Sequence, residues 1–403
     1  MSRATATNAS RLLAVLLASS PTACVERLIH DRLCGDGRRS PGEVCLGEGE
    51  RSTLAIDTLT PLSLRTADFD GDSSPDLLVM GLDPSGVVAG LLWRGDGQGD
   101  FAPPIDPEVY GCSAHPVPGQ IDGDDIDDLL VDDCGPSVSL FGGTPSGVFE
   151  TPLTVATGAT THSSSLLDLD ADGLEEVMLL GSDDAGVAVL SVAERSGEST
   201  FAPPVISPLT GLPPGSSPDG FGIFDADGDR LPDALVVAGS APAGLVVLHG
   251  QPGLRFGDGH DVSPPDLVLG WATPRDLDGD GRDEVLAADF EGQALVILAL
   301  EDERLVEHGR TEVPGLMPGP VALADLDGDG RLDLVRVDAE AAELHAWLRR
   351  RGDRFAGFTG PTAIDLDVPA DQIALADVDG DGALDVVVGS FDRSILQVLR
   401  TDP

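Results

Sequence analysis

A short run of aspartates returns seven times along this chain of 403 residues, and each run leads into a stretch of aliphatic residues. The last two copies are regular: Asp325-Leu326-Asp327-Gly328-Asp329-Gly330-Arg331-Leu332-Asp333 and Asp377-Val378-Asp379-Gly380-Asp381-Gly382-Ala383-Leu384-Asp385. The others begin at Asp68, Gln120, Asp168, Asp225 and Asp276, so successive starts lie 52, 48, 57, 51, 49 and 52 residues apart. A near-constant period of this size means one supersecondary unit copied along the chain, stacked so that neighbours bury each other's apolar faces.

Each unit parses the same way. In the sixth, Val321-Ala322-Leu323-Ala324 enters the acidic loop and an apolar stretch from Leu332 to Val337 leaves it. Leu344 to Leu348 forms a third strand and the segment from Phe355 onward a fourth. Strand signals bounded by Gly, Pro and Asp, without long 3.6-residue periodicity, make the chain all-β. The third-to-fourth turns are glycine-rich, as in Gly95-Asp96-Gly97-Gln98-Gly99, Gly142-Gly143 and Arg351-Gly352-Asp353. Four short strands in each of seven units describe a seven-bladed β-propeller. After Leu396 only one strand's worth of residues is left, so the last blade lacks its outer strand. Thr53-Leu54-Ala55-Ile56-Asp57 echoes Thr362-Ala363-Ile364-Asp365, the fourth strand before the last run, and is expected to supply it.

Asp and Glu outnumber Lys and Arg by 70 to 24, for a net charge of −46, and lysine is absent. Such acidity excludes nucleic acid, whose phosphates need cationic neutralisation, and repels anionic lipid. Disorder is excluded by 41% hydrophobic content in periodic blocks. Of the acids, 31 fall inside the seven runs, so the charge has a local purpose that divalent cations would offset. Alternating aspartates at positions 1, 3 and 5 of a glycine-turned loop suit a hard cation such as Ca²⁺, which takes six to eight oxygens. An EF-hand would need a bidentate Glu at position 12, where Arg336 and Val388 stand inside strands. No His or Cys stands at zinc spacing, so softer metals are not expected. There is no G-x-S-x-G elbow, no phosphate loop opening a helix, and the seven histidines share no repeat position, so the chain reads as a non-enzyme.

The units resemble the FG-GAP/VCBS repeats of integrin α-subunit propellers and of secreted bacterial proteins, over residues 52–403. The resemblance implies up to seven structural Ca²⁺ ions, each held by acids at positions 1, 3, 5 and 9 and a carbonyl at position 7. The ligands would be Asp68, Asp70, Asp72 and Asp76; Asp122, Asp124 and Asp128; Asp168, Asp170, Asp172 and Glu176; Asp225, Asp227, Asp229 and Asp233. Asp276, Asp278, Asp280 and Glu284, then Asp325, Asp327, Asp329 and Asp333, then Asp377, Asp379, Asp381 and Asp385 complete the set. The copies differ. Ser73 and Arg230 replace the glycine of position 6 and lose its freedom at positive φ. Gln120 offers a neutral ligand at best, so the second site should bind weakest.

The resemblance also puts the metal loops on one face and the fourth-to-first and second-to-third connections on the other. That second face would carry Tyr110, His115, His162, Trp271 and Met317, and would bring Cys112 near Cys134 as a disulfide. Two Arg-Gly-Asp triplets, at 94–96 and 351–353, read as ordinary turn residues.

At the amino terminus, Arg3 and Arg11 precede the apolar run Leu12 to Ala18, too short to span a bilayer, so residues 1–23 read as an export signal. Ser20-Pro21-Thr22-Ala23-Cys24 resembles a bacterial lipoprotein processing site, with Cys24 as the lipid anchor and Pro21 a departure from the usual aliphatic residue. In a linker over 24–51, Cys34 and Cys45 resemble a locally disulfide-bonded CGDG…GE…C element of bacterial surface proteins. The expectation is an exported, monomeric, calcium-binding propeller, at the cell surface or extracellular. It would serve adhesion or protein interaction, with an unnamed protein or glycan as partner. The alternative is a lectin-like or carbohydrate-active role for the face opposite the loops.

Overall fold

The computed structural model describes residues 46, 49–171, 174–197, 200–212, 218–238, 244–264, 267, 269–277, 282–313, 321–352 and 355–401. The expected export signal, Cys24, Cys34 and Cys45 lie outside these residues, as do Asp172, Asp278, Asp280, Met317 and Asp353. Seven four-stranded antiparallel sheets follow one another along the chain, with one 3₁₀ turn and no α-helix among the described residues. Among the described residues no helix is long and apolar enough to cross a membrane.

The first blade runs Thr60–Ala67, Asp76–Leu82, Val88–Trp93 and Tyr110–Gly111 from the inside outward. Its second strand is an unbroken apolar run because both of its faces are covered. Leu77 and Val79 pack with blade seven, whereas Leu78 and Met80 pack with blade two. Successive side chains on a strand point to opposite faces, so one four-residue run serves two interfaces. Outer strands are half-wet and alternate, as in Arg51–Ala55. The sixth blade's fourth strand is Thr362–Asp365, with Phe358 ahead of it making only an isolated bridge to Arg349.

Seven hydrophobic clusters lie between the blades, each drawn from two neighbours. One of them joins Leu64, Leu77 and Val79 of blade one to Val387, Leu396 and Val398 of blade seven, so the ring is closed. Backbone pairing closes it too. Arg51–Ala55 lies antiparallel to Ile395–Leu399 as the outer strand of blade seven, after Gln372–Ala376 and Asp385–Ser390. The closing strand starts two residues before the expected Thr53, a shift that keeps each side chain on its face.

A disulfide joins Cys112 to Cys134, with Cα atoms 5.7 Å apart, and ties the end of blade one to the second-to-third turn of blade two. Near it Tyr110 is exposed and donates its hydroxyl to Asp106, while Trp271 is half-buried against the cluster between blades five and six.

Candidate metal centre: the seven acidic loops

Each loop joins an inner strand to a second strand, and its ninth residue is the first residue of that second strand. In all seven copies this acid accepts the N–H of loop position 2: Asp76 from Phe69, Asp128 from Ile121, Glu176 from Leu169, Asp233 from Ala226. Glu284 takes Leu277, Asp333 takes Leu326 and Asp385 takes Val378. In at least five copies the other carboxylate oxygen accepts an N–H from the end of the third strand. Those donors are Gly95, Gly143, Gly250, Arg349 and Thr401, at 2.6–2.8 Å. The acid is thus a buried staple across three strands. Burial pushes the carboxyls of Asp76, Asp333 and Asp385 up to about 7 and that of Asp128 up to about 6, against the pull of those N–H donors.

Position 1 winds the loop around itself. Asp68 accepts N–H bonds from Gly71, Asp72 and Ser73, and Asp377 does the same from Gly380, Asp381 and Gly382. Position 5 accepts from the N–H of position 7: Asp72 from Ser74, Asp124 from Ile126, Asp229 from Leu231, Asp329 from Arg331 and Asp381 from Ala383. The backbone turns at positive φ at positions 4 and 6, as at Gly380 (73°) and Gly382 (89°). Ser73 and Arg230 hold φ of 68° and 71°, so the loop shape overrides a side chain that disfavours it.

The acids' oxygens, many of them also accepting backbone N–H bonds, converge. Asp68, Asp70 and Asp76 bring ligand atoms within 4.8 Å of one another, as do Asp168, Asp170 and Glu176, Asp225, Asp227 and Asp229, and Asp325, Asp327 and Asp333. Such clusters could hold a metal ion. In the first loop, Oδ1 of the buried Asp70 has no hydrogen-bond partner, and burial with the charge of Asp72 raises its pKa. In the second, Asp122 and Asp124 crowd each other and burial raises Asp122, but Gln120 turns its amide to Asp127. Asp379 and Asp381 lie close enough to Asp385 to raise its pKa further, beyond the larger effect of burial. Asp276 keeps its place at the head of the fifth loop and raises the neighbouring Asp283, itself pushed up chiefly by burial.

Arginines answer some of this charge. Arg94 lies 3.6 Å from Asp70, while Arg331 pairs with Asp329. This accounts for one Arg-Gly-Asp triplet: Arg94 faces the loop, Gly95 donates to Asp76, and Asp96 accepts its own turn's N–H groups from Gln98 and Asp100.

Two features were not expected. An acid at position 8 links successive blades: Asp127 accepts the N–H of Asp68, Glu175 that of Gln120, and Asp283 that of Asp225. The second is a nitrogen donor beside the acids of one loop. His249, at the end of blade four's third strand, places Nδ1 3.5 Å from Asp233 and 3.6 Å from Asp227. Its signal lies in the stapling donors, since His249 precedes Gly250 just as Arg94 precedes Gly95. Those donors stand 19, 15, 17, 16 and 16 residues beyond the acid, so hairpin length hides the register.

The FG-GAP-like repeat family matches residues 68–131 and 276–336. No curated protein matches the chain. Among solved structures it is similar to a Pseudomonas aeruginosa periplasmic gluconolactonase, PpgL, at 20% identity and a TM-score of 0.49, over 77% of this chain and 87% of that one. It is also similar to BBS1N, solved in complex with ARL6DN, at 9% identity and a TM-score of 0.51, over 88% and 96% of the two chains. At 9% identity the likeness to BBS1N speaks for the fold alone. With its seven closed blades and its acidic loops in phase, the chain is a seven-bladed β-propeller that carries FG-GAP-like repeats over residues 68–131 and 276–336.

Proposed function

We propose that the acidic loops bind Ca²⁺ and that the propeller is an exported, non-enzymatic interaction module whose shape those ions hold. The observation that carries this is the repeated loop design: backbone N–H groups hold and orient the carboxylates while their oxygens converge on one another. The acids at positions 1, 3, 5 and 9 would hold the ion. Its charge would offset their mutual repulsion and crosslink the inner and second strands. Gln120, turned to Asp127, leaves the second loop the poorest of the set. Support for an interaction role comes from the FG-GAP repeat propeller itself. The reading includes export through residues 1–23, a lipid anchor at Cys24 on a linker over 24–51, a monomeric propeller over 52–403, and a surface protein or glycan as partner.

Scanning calorimetry of the full chain with Ca²⁺ and with excess EGTA tests it. A site saturated a hundredfold above its Kd adds about 2.7 kcal/mol, so several sites together should shift the melting temperature by many degrees. An unchanged melting temperature in EGTA would sink the calcium reading. Capture from the native envelope that depends on Ca²⁺ would support the interaction role, and turnover of a glycoside or lactone substrate would overturn the non-enzymatic one.

A further inference from the structure

We propose that the fourth acidic loop, together with His249, forms a mixed nitrogen–oxygen site for a divalent transition-metal ion, unlike the oxygen-only loops around it. The inference rests on the metal reading of the loops to the extent that Asp227 and Asp233 serve in both. His249, Asp227 and Asp233 each bring a ligand atom within 4.8 Å of the others', and Nδ1 of His249 lies 3.6 Å from Oδ2 of Asp227 and 3.5 Å from Oδ2 of Asp233. They come from two separate stretches of chain, the loop and the far end of the third strand Gly244–Gln251. The adjoining backbone is fixed, because Gly250 donates its N–H to Oδ1 of Asp233 at 2.6 Å.

Three observations point to an ion rather than a hydrogen bond. First, Nδ1 is buried and has no hydrogen-bond partner, a costly state for a polar atom unless something else fills it. Second, its separations of 3.5 and 3.6 Å from the two carboxylate oxygens are too long for a good hydrogen bond. They match the edge of a tetrahedron whose donors each lie about 2.1 Å from a shared ion, which is about 3.4 Å. Third, backbone N–H groups hold both carboxylates: Oδ1 of Asp227 accepts from Asp229, Oδ1 of Asp233 from Gly250, and the Oδ2 of Asp233 that faces His249 accepts from Ala226 at 2.7 Å. The oxygens facing His249 are thus oriented in advance.

The donor chemistry selects the ion. Ca²⁺ takes oxygen ligands and gains little from an imidazole, whereas Zn²⁺ and its neighbours in the first transition row bind imidazole well. One imidazole and two carboxylates leave a coordination position for water or for a ligand's own donor. Nitrogen coordination through Nδ1 requires the tautomer with hydrogen on Nε2. The exposed His260 ring lies 6.2 Å from that of His249, close enough for it to be a rival imidazole.

The test is titration of Zn²⁺ into the full chain in a large excess of Ca²⁺, with bound Zn²⁺ and Ca²⁺ counted by mass spectrometry of the metals. A parallel Co²⁺ titration reads coordination from its visible absorption bands. The expected result is one Zn²⁺ that excess Ca²⁺ does not displace. His249→Ala and Asp227→Asn should each weaken it at least about tenfold, the smallest loss that follows removal of even an outer partner of a metal ligand. His260→Ala should leave it in place. Zn²⁺ displaced by Ca²⁺, or retained equally by His249→Ala, overturns the proposal and leaves His249 as a neighbour of two aspartates with no metal role. Loss on His260→Ala without loss on Asp227→Asn overturns it as well, by assigning the ion to a surface histidine pair. Calcium counts separate this from the broader reading: Ca²⁺ bound without Zn²⁺ refutes only the mixed site, and Zn²⁺ bound without Ca²⁺ refutes only the calcium loops.

Discussion

The fourth and seventh acidic loops keep the same aspartates at positions 1, 3, 5 and 9 and the same staple, yet surround them differently. In the seventh, position 6 is Gly382, and the residue before the stapling donor is Arg400, which reaches away to Glu50 and Asp100. In the fourth, position 6 is Arg230 in a left-handed turn, and the residue before the donor is His249, facing the carboxylates. The loop motif therefore sets the geometry of the acids, while a residue brought in by the third strand sets which charge or donor meets them. Blade one shows a third outcome, with Arg94 in that place lying against Asp70.

The hardest blow to this comparison falls on what the two loops share. Asp385→Ala and Asp233→Ala each strip the acceptor from two N–H groups, buried at Asp385 and part-buried at Asp233. An unsatisfied buried donor costs roughly 1–3 kcal/mol, so each variant should lose about 2–5 kcal/mol even in EGTA. Urea denaturation of the metal-free variants reads this directly. A loss below about 1 kcal/mol in either blade would show that the acid serves only the metal.

Next in size is the response to pH. Folded Asp385, Asp333 and Asp76 hold their protons up to about 7, whereas the ordinary value is 3.8. A folded-state pKa above the unfolded one gives stability that is complete below the unfolded value and is lost as pH rises through the folded one. The metal-free protein should therefore melt at progressively lower temperature as pH rises from about 4 to about 7. Bound Ca²⁺ favours the ionised form and should abolish or reverse that fall. A melting temperature in EGTA that climbs with pH across this window would contradict the burial of these acids.

The smallest effect tests the turn. Exchanging the two position-6 residues should move stability in opposite directions, with Arg230→Gly gaining and Gly382→Arg losing about 1 kcal/mol. Equal and negligible changes would mean that the left-handed turn is unstrained in both.

Much of this could be read from the chain alone. The period counted the blades, and the run Leu77 to Met80 announced a strand covered on both faces. The echo of Thr362–Asp365 near Thr53 foretold closure to within two residues. These features are local, or repeat in phase, and so survive being read in one dimension. What escaped was assembled across hairpins of unequal length or between blades. His249 meets Asp233 only once the second and third strands pair, and Asp127, Glu175 and Asp283 meet their donors only when the next blade docks. Ser73 and Arg230 taught the converse: the absence of glycine did not prevent the turn, because the aspartate at position 1 holds it with N–H bonds at 2.8 and 3.1 Å.

The pairing of Arg51–Ala55 with Ile395–Leu399 has a mechanical side. Arg51 lies opposite Leu399 and Ala55 opposite Ile395, so both ends of the propeller leave the ring at the same end of the same strand pair. Tension between the amino-terminal segment and the carboxyl terminus would load the pair like a zipper, one rung at a time, rather than shear all its rungs together. Pulling on the amino-terminal segment alone, against a load elsewhere on the ring, would not share that weakness. Blade seven is the clasp of the molecule, and how firmly it holds depends on where the molecule is gripped.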